Sequence, residues 1–129
     1  MRHDLLNDAL VTLRHADRDG KAHVTLAPTS RLIGEVLRIF RENKYIEEFT
    51  FVADGRGGQY DVTLARRINS CGVIKPRLAV RRRDLEGYES RFLPAQDFGL
   101  LVLSTNQGVM SHQKARELEI GGKLVAYVF

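Results

Sequence analysis

The chain has 129 residues, with 20 Lys and Arg against 16 Asp and Glu for a formal net charge of +4, and 43% of it is hydrophobic. That length suits one compact domain or two very small ones, and the apolar share supports a core rather than wholesale disorder. No apolar run approaches the ~18 residues of a membrane span, and the one cysteine, Cys71, excludes an intrachain disulfide framework and a Cys-based zinc finger. Met1-Arg2-His3-Asp4 lacks the apolar stretch of a secretory signal, so the expectation is a soluble cytoplasmic protein in a reducing compartment.

Leu5, Leu6, Ala9, Leu10 and Leu13 recur at three- and four-residue steps and predict a helix capped by Asp4. It ends before Asp17-Arg18-Asp19-Gly20, which reads as a turn. Ala22, Val24 and Leu26 alternate with His23 and Thr25, the period of a half-buried strand. Pro28-Thr29-Ser30 starts a second helix with the stripe Leu32, Ile33, Val36, Leu37 and Phe40. Two alternating runs follow, Phe49/Phe51/Ala53 and Tyr60/Val62/Leu64, joined by the hairpin loop Asp54-Gly55-Arg56-Gly57-Gly58.

Arg66 to Lys75 reads as basic and irregular, and Pro76 bars the middle of a central strand. Leu78 to Val80 and Gly99 to Leu103 predict strands, with an acidic and aromatic segment from Asp84 to Phe92 between them. The polar loop Ser104 to Gly108 comes next, then a short helix capped by Ser111 and running to Leu118, then a closing strand Leu124 to Phe129 after Gly121-Gly122. The fold class is α+β in two small subdomains: residues 1–66 as α-β-α-β-β, and residues 67–129 as mostly antiparallel β with one short helix.

The charge is concentrated. Between Arg66 and Arg91 there are eight basic and three acidic residues, an excess of five, while the rest of the chain carries a net −1. Seven of the eight are Arg, whose planar fork suits phosphate, although such a run also serves as a solvated face with ion pairs. Catalytic patterns are missing. His3, His15, His23 and His112 form no ligand pair, Ser111 and His112 are adjacent and do not face each other on a helix, and Gly121-Gly122-Lys123-Leu124 lacks the spacing and hydroxyl of a phosphate loop. No metal or cofactor is expected.

The loop Ser104-Thr105-Asn106-Gln107-Gly108 holds two hydroxyls, two amides and a glycine, and no charge. Small polar groups on a rigid loop can approach sugar hydroxyls and base edges closely. The same composition also serves an ordinary strand-to-helix connector.

The run Gly99 to Arg116, an apolar strand followed by Ser104-Thr105-x-x-Gly108-Val109-Met110 and then Ala115-Arg116, resembles the signature of the S-eight family of small-subunit ribosomal proteins. The resemblance extends through Asp4 to Leu10, Pro28-Thr29-Ser30, Tyr45 to Phe49, and Gly121-Gly122-Lys123-Leu124. Cys71-Gly72-Val73-Ile74-Lys75-Pro76-Arg77, Leu93-Pro94 and Phe98-Gly99 are similar to the archaeal and eukaryotic-cytosolic branch. The resemblance implies a non-enzymatic primary RNA-binding protein. Its partners would be the central domain of small-subunit ribosomal RNA and neighbouring ribosomal proteins, with no membrane and no small-molecule substrate.

The resemblance puts Ser104, Thr105, Asn106, Gln107 and Gly108 on the main RNA-contacting segment and Thr29, Ser30 and Arg31 on a second one. Arg14 matches a family Arg on the first helix. Asn106 replaces a common bacterial Ser and Gln107 a Lys, so this loop gives up a phosphate charge and leans on hydrogen bonding. Lys123 stands where bacterial members carry Glu, and Arg77 and Arg82 in the basic stretch would supply phosphate neutralisation. The alternatives are a repressor binding its own messenger RNA, a small RNA-processing enzyme, and an adaptor whose Arg run meets acidic protein partners.

Overall fold

The computed structural model describes residues 4–95 and 97–129, and its chain separates into two units, Met1–Ser70 and Cys71–Phe129. In the first, Asp4 caps helix α1 (Leu5–Arg18), its carboxylate accepting from the Asn7 amide at 3.1 Å. Leu6, Ala9, Leu10 and Leu13 are buried, as the stripe requires. The helix runs further than expected: Asp17 and Arg18 are helical, not a turn. Buried Asp17 faces the Ile68 amide at 3.4 Å, so a long-range partner holds a carboxylate where the helix dipole alone would disfavour it.

Strand β1 (His23–Leu26) leads to helix α2 (Arg31–Glu42), whose first turn is capped by the Ser30 hydroxyl accepting from the Ile33 amide at 3.2 Å. Ile33, Val36, Leu37, Ile39 and Phe40 are buried. Strands β2 (Ile46–Val52) and β3 (Gln59–Leu64) complete an antiparallel sheet in the order β1-β3-β2. Ala53 lies outside β2, and Phe51 is 55% exposed. The Phe49/Phe51 alternation therefore marks aromatic packing on a solvated face: both rings meet Tyr60 edge-on, at 5.6 and 5.8 Å.

The second unit is a five-stranded sheet in the order Cys71–Val73 (β4), Gly122–Val128 (β8), Leu100–Thr105 (β6) and Gly108–Ser111 (β7), with Ala79–Val80 (β5) also on β8. Strand β4 (Cys71–Val73) and strand β5 (Ala79–Val80) both run antiparallel to the closing strand, which spans Gly122–Val128 as β8. The segment read as irregular thus contains a strand, and Pro76 falls between the two short pieces, where no ladder hydrogen bond is asked of it. Cys71 is fully buried. The acidic and aromatic segment is also regular: after a tight turn at Arg82–Asp84, Leu85–Phe92 forms helix α3 with Leu85 and Glu89 buried.

Strand β6 (Leu100–Thr105) is the spine of this unit, with Leu100, Leu101, Val102 and Leu103 all 2% exposed or less. It pairs with β8 on one side and with strand β7 (Gly108–Ser111) on the other. Ser111 then caps helix α4 (His112–Glu117), its hydroxyl accepting from the Lys114 amide at 3.2 Å. Burying each such aliphatic side chain stabilises by roughly 1.5–3 kcal/mol, so β6 is the most firmly held backbone available to carry a site.

Candidate nucleic-acid interface

The polar segment Ser104–Gly108 is the tip of the β6–β7 hairpin, which corrects the reading of it as a strand-to-helix connector. Ser104 pairs with Val109 and Thr105 with Gly108, leaving Asn106-Gln107 as the turn. That turn needs one left-handed residue, and Gly108 supplies it at φ +111. The Thr105 hydroxyl closes the tip by donating to the Gly108 carbonyl at 2.7 Å while accepting from the Gln107 amide at 3.0 Å. Its proton is therefore committed internally, and its contribution to any ligand is chiefly to fix the turn. Asn106 and Gln107 are exposed, as is Ser104, whose hydroxyl meets no partner among the described residues.

Lys123 belongs to the same surface. It lies on β8 directly across from Ser104, with Ala79 of β5 on its other flank, and it is exposed. Gly122 makes this juxtaposition possible: a Cβ there would sit 2.5 Å from the Ser104 carbonyl and 2.9 Å from the Thr105 methyl. A cation thus stands beside Ser104 that lies 19 positions further along the chain. Arg77, just before β5, is also exposed.

The basic stretch does not act as one body. Arg66 and Arg67 belong to the first unit and the remainder to the second. In the second unit several cations are already engaged: Arg82 with Glu119 at 3.4 Å, and Arg91 over the Tyr88 and Phe92 rings at 5.8 and 5.7 Å. Exposed ion pairs of this kind are weak, and a polyanion can displace them.

In the first unit, Thr29, Ser30 and Arg31 are consecutive at the start of α2, but two of the three side chains have structural duties. Ser30 caps the helix, and the Thr29 hydroxyl donates to the Gly57 carbonyl at 2.6 Å. That bond draws the β2–β3 loop against the helix start. Asp54 folds the loop, its carboxylate accepting from the Arg56 and Gly58 amides at 2.8 Å each, and these bonds hold it below the usual carboxylate range. Exposed Arg56 consequently shares the surface of Thr29 and Arg31. Sequence reasoning passed over Arg56 because a glycine-rich tip looks like mere punctuation. A basic residue inside an Asp-x-x-x-Gly turn was the available signal. Arg14 lies on α1 and is partly buried.

The comparisons agree with the motif. The family described as Ribosomal protein S8 matches residues 4–129. The chain belongs to the ribosomal protein S8 family. The small ribosomal subunit protein uS8 of Picrophilus torridus is 50% identical over 129 residues, covering all of both chains. Those of Thermoplasma volcanium and Thermoplasma acidophilum are 48% and 47% identical, again over the full length of both. These archaeal relatives bear out the resemblance to the archaeal-type branch of the family. Among the described residues no group of three or more His, Cys, Asp or Glu is placed to hold a metal, and no helix is long and apolar enough to cross a membrane.

Proposed function

We propose that the protein is a structural constituent of the small ribosomal subunit that binds its ribosomal RNA through the β6–β7 tip. The observation that carries this reading is the full-length kinship with small-subunit uS8 proteins. The geometry supports the following division of roles among the site residues. Ser104, Asn106 and Gln107 present uncharged donors and acceptors to sugar hydroxyls and base edges, Thr105 and Gly108 fix the turn, and Lys123 and Arg77 neutralise phosphates beside it. Thr29, Arg31 and Arg56 form a second contact in the first unit, with Ser30 holding the helix start and Arg14 contributing from α1.

The RNA target is the central domain of small-subunit RNA, and neighbouring ribosomal proteins cover part of the remaining surface, in the cytoplasm where ribosomes work. The role assigned is positional, that of a structural constituent, with no catalytic step. A filter-binding titration of the protein against a central-domain fragment and against an unrelated stem of equal length tests the reading. Tighter binding to the fragment at every salt concentration is expected. Equal binding to both would overturn it.

A further inference from the structure

Beneath the tip lies a polar cluster that the RNA reading does not use. Strand β7 leaves the sheet at Ser111 to become α4, so the β6 ladder loses its partner one residue beyond Val102. The amide exposed there, Leu101 N–H, is taken by a side chain: it donates to His112 Nδ1 at 3.0 Å, deep in the interior. An imidazole that accepts at Nδ1 carries its proton on Nε2 when neutral. That Nε2 faces Glu89 Oε2 of α3 at 3.5 Å, and neither atom has another partner among the described residues. The other Glu89 oxygen is bonded by Arg116, which stands one turn after His112 on α4 and therefore on the same face. His112 and Glu89 are 0% and 3% exposed.

Three elements are tied through one ring. Removing it would leave the Leu101 amide and the Oε2 oxygen of Glu89 buried and unanswered, at the root of the hairpin that ends in Ser104–Gly108. An apolar core residue would fill the same space without this directionality. The cluster thus constrains where β6 and α4 diverge, and hence the angle at which the tip is presented.

Resting on the RNA-binding reading, we propose that His112 is a positioning residue for recognition, anchoring the β6–β7 hairpin to α3 through Leu101 and Glu89 so that the tip meets its RNA preformed. The groups that bear on the ring are Leu101 N–H from β6, Glu89 from α3, Arg116 from α4, and Asp97 from the segment before β6. Burial pushes the imidazole below its ordinary value, with Asp97 pulling the other way. A proton on Nδ1 would face the Leu101 N–H, donor against donor. The anchor is therefore fully present above the ordinary imidazole value of 6.5 and is released as pH falls through the lowered one.

The test compares wild type with His112→Leu, which removes both links, and His112→Asn, whose shorter amide can still accept from Leu101 but does not titrate. Specificity is read as the affinity ratio between the central-domain fragment and the unrelated stem, from pH 8 downward as far as the protein stays folded. Wild type should lose its ratio on acidification, His112→Leu should have a ratio about tenfold lower at every pH, and His112→Asn should keep most of it with a flat profile. Amide exchange in the free protein reads the anchor without RNA: His112→Leu should expose Ser104–Met110 while leaving the β2–β3 hairpin protected. A His112→Leu protein with lowered thermal stability but unchanged exchange at the tip, or with the wild-type ratio and pH profile, would overturn the proposal. Wild type that fails to discriminate the two RNAs refutes the RNA reading instead, and the exchange measurement still decides the anchor.

Discussion

The tip between β2 and β3 and the tip between β6 and β7 are both polar, both glycine-bearing and both exposed, yet they hang from different kinds of strand. β2 is solvated along most of its length, and only Ile46 in it is buried. β6 is sealed from Leu100 to Leu103. The first tip is folded by a carboxylate, Asp54, and presents a cation, Arg56; the second is folded by a hydroxyl, Thr105, and presents neutral amides and Ser104. A charged tip on a solvated strand can meet a phosphate backbone through charge, which tolerates loose alignment. Reading shape and hydroxyls demands fixed donors, because a hydrogen bond weakens steeply with misalignment. On the proposed RNA-binding reading, affinity would come from the cations and selection from the β6–β7 tip.

The largest way to break the contrast is to remove the support. Leu103→Ala should destabilise the protein by about 2–5 kcal/mol in a denaturant titration, whereas Phe51→Ala, at a 55% exposed position, should lose less than about 1 kcal/mol. Similar losses would mean that the two strands are not differently held. A smaller change targets the turn. Thr105→Val forfeits both internal hydrogen bonds and should weaken binding to the central-domain fragment by about 1–3 kcal/mol, with little effect on an unrelated stem.

Charge removal sharpens the other side. Arg77→Ala should weaken binding to every RNA alike and reduce the slope of log affinity against log salt by about one. Arg82→Ala should change it less, since Arg82 must first release Glu119. The smallest effect is expected from acid on the first tip. Because the folded-state carboxyl of Asp54 titrates below its ordinary 3.8, loop order is full above that value and is lost as pH falls through the lowered one. Amide exchange at Arg56 and Gly58 should rise there, where both amides lose the Asp54 carboxylate as acceptor.

Much of this was legible in the sequence because helices write their buried stripes at fixed spacing. Leu6, Leu10 and Leu13, and Ile33, Leu37 and Phe40, fell inside as expected. The Asp4, Ser30 and Ser111 caps were equally readable from residue type. What stayed hidden depends on partners distant in the chain. Cys71–Val73 is a strand only because β8 lies beside it, and Gly108–Ser111 only because β6 does; neither carries enough residues for a period to show. Glu89 reads as a surface acid on an acidic segment, and nothing local says that His112 and Arg116 will enclose it. The resemblance named the RNA-contacting loop without its geometry. That the loop is a hairpin tip with Lys123 across from Ser104 needed the fold.

Selection, as proposed, resides in uncharged groups on a rigid tip. Ser104→Ala tests it most directly, since the side chain is exposed, has no structural bond among the described residues, and can be truncated without disturbing β6. Affinities for the central-domain fragment and for an unrelated stem of equal length are measured at two salt concentrations. A roughly fivefold or greater loss on the fragment is expected, with an unchanged affinity for the stem and the same salt slope as wild type. Equal losses on both RNAs, or a change in slope, would contradict it.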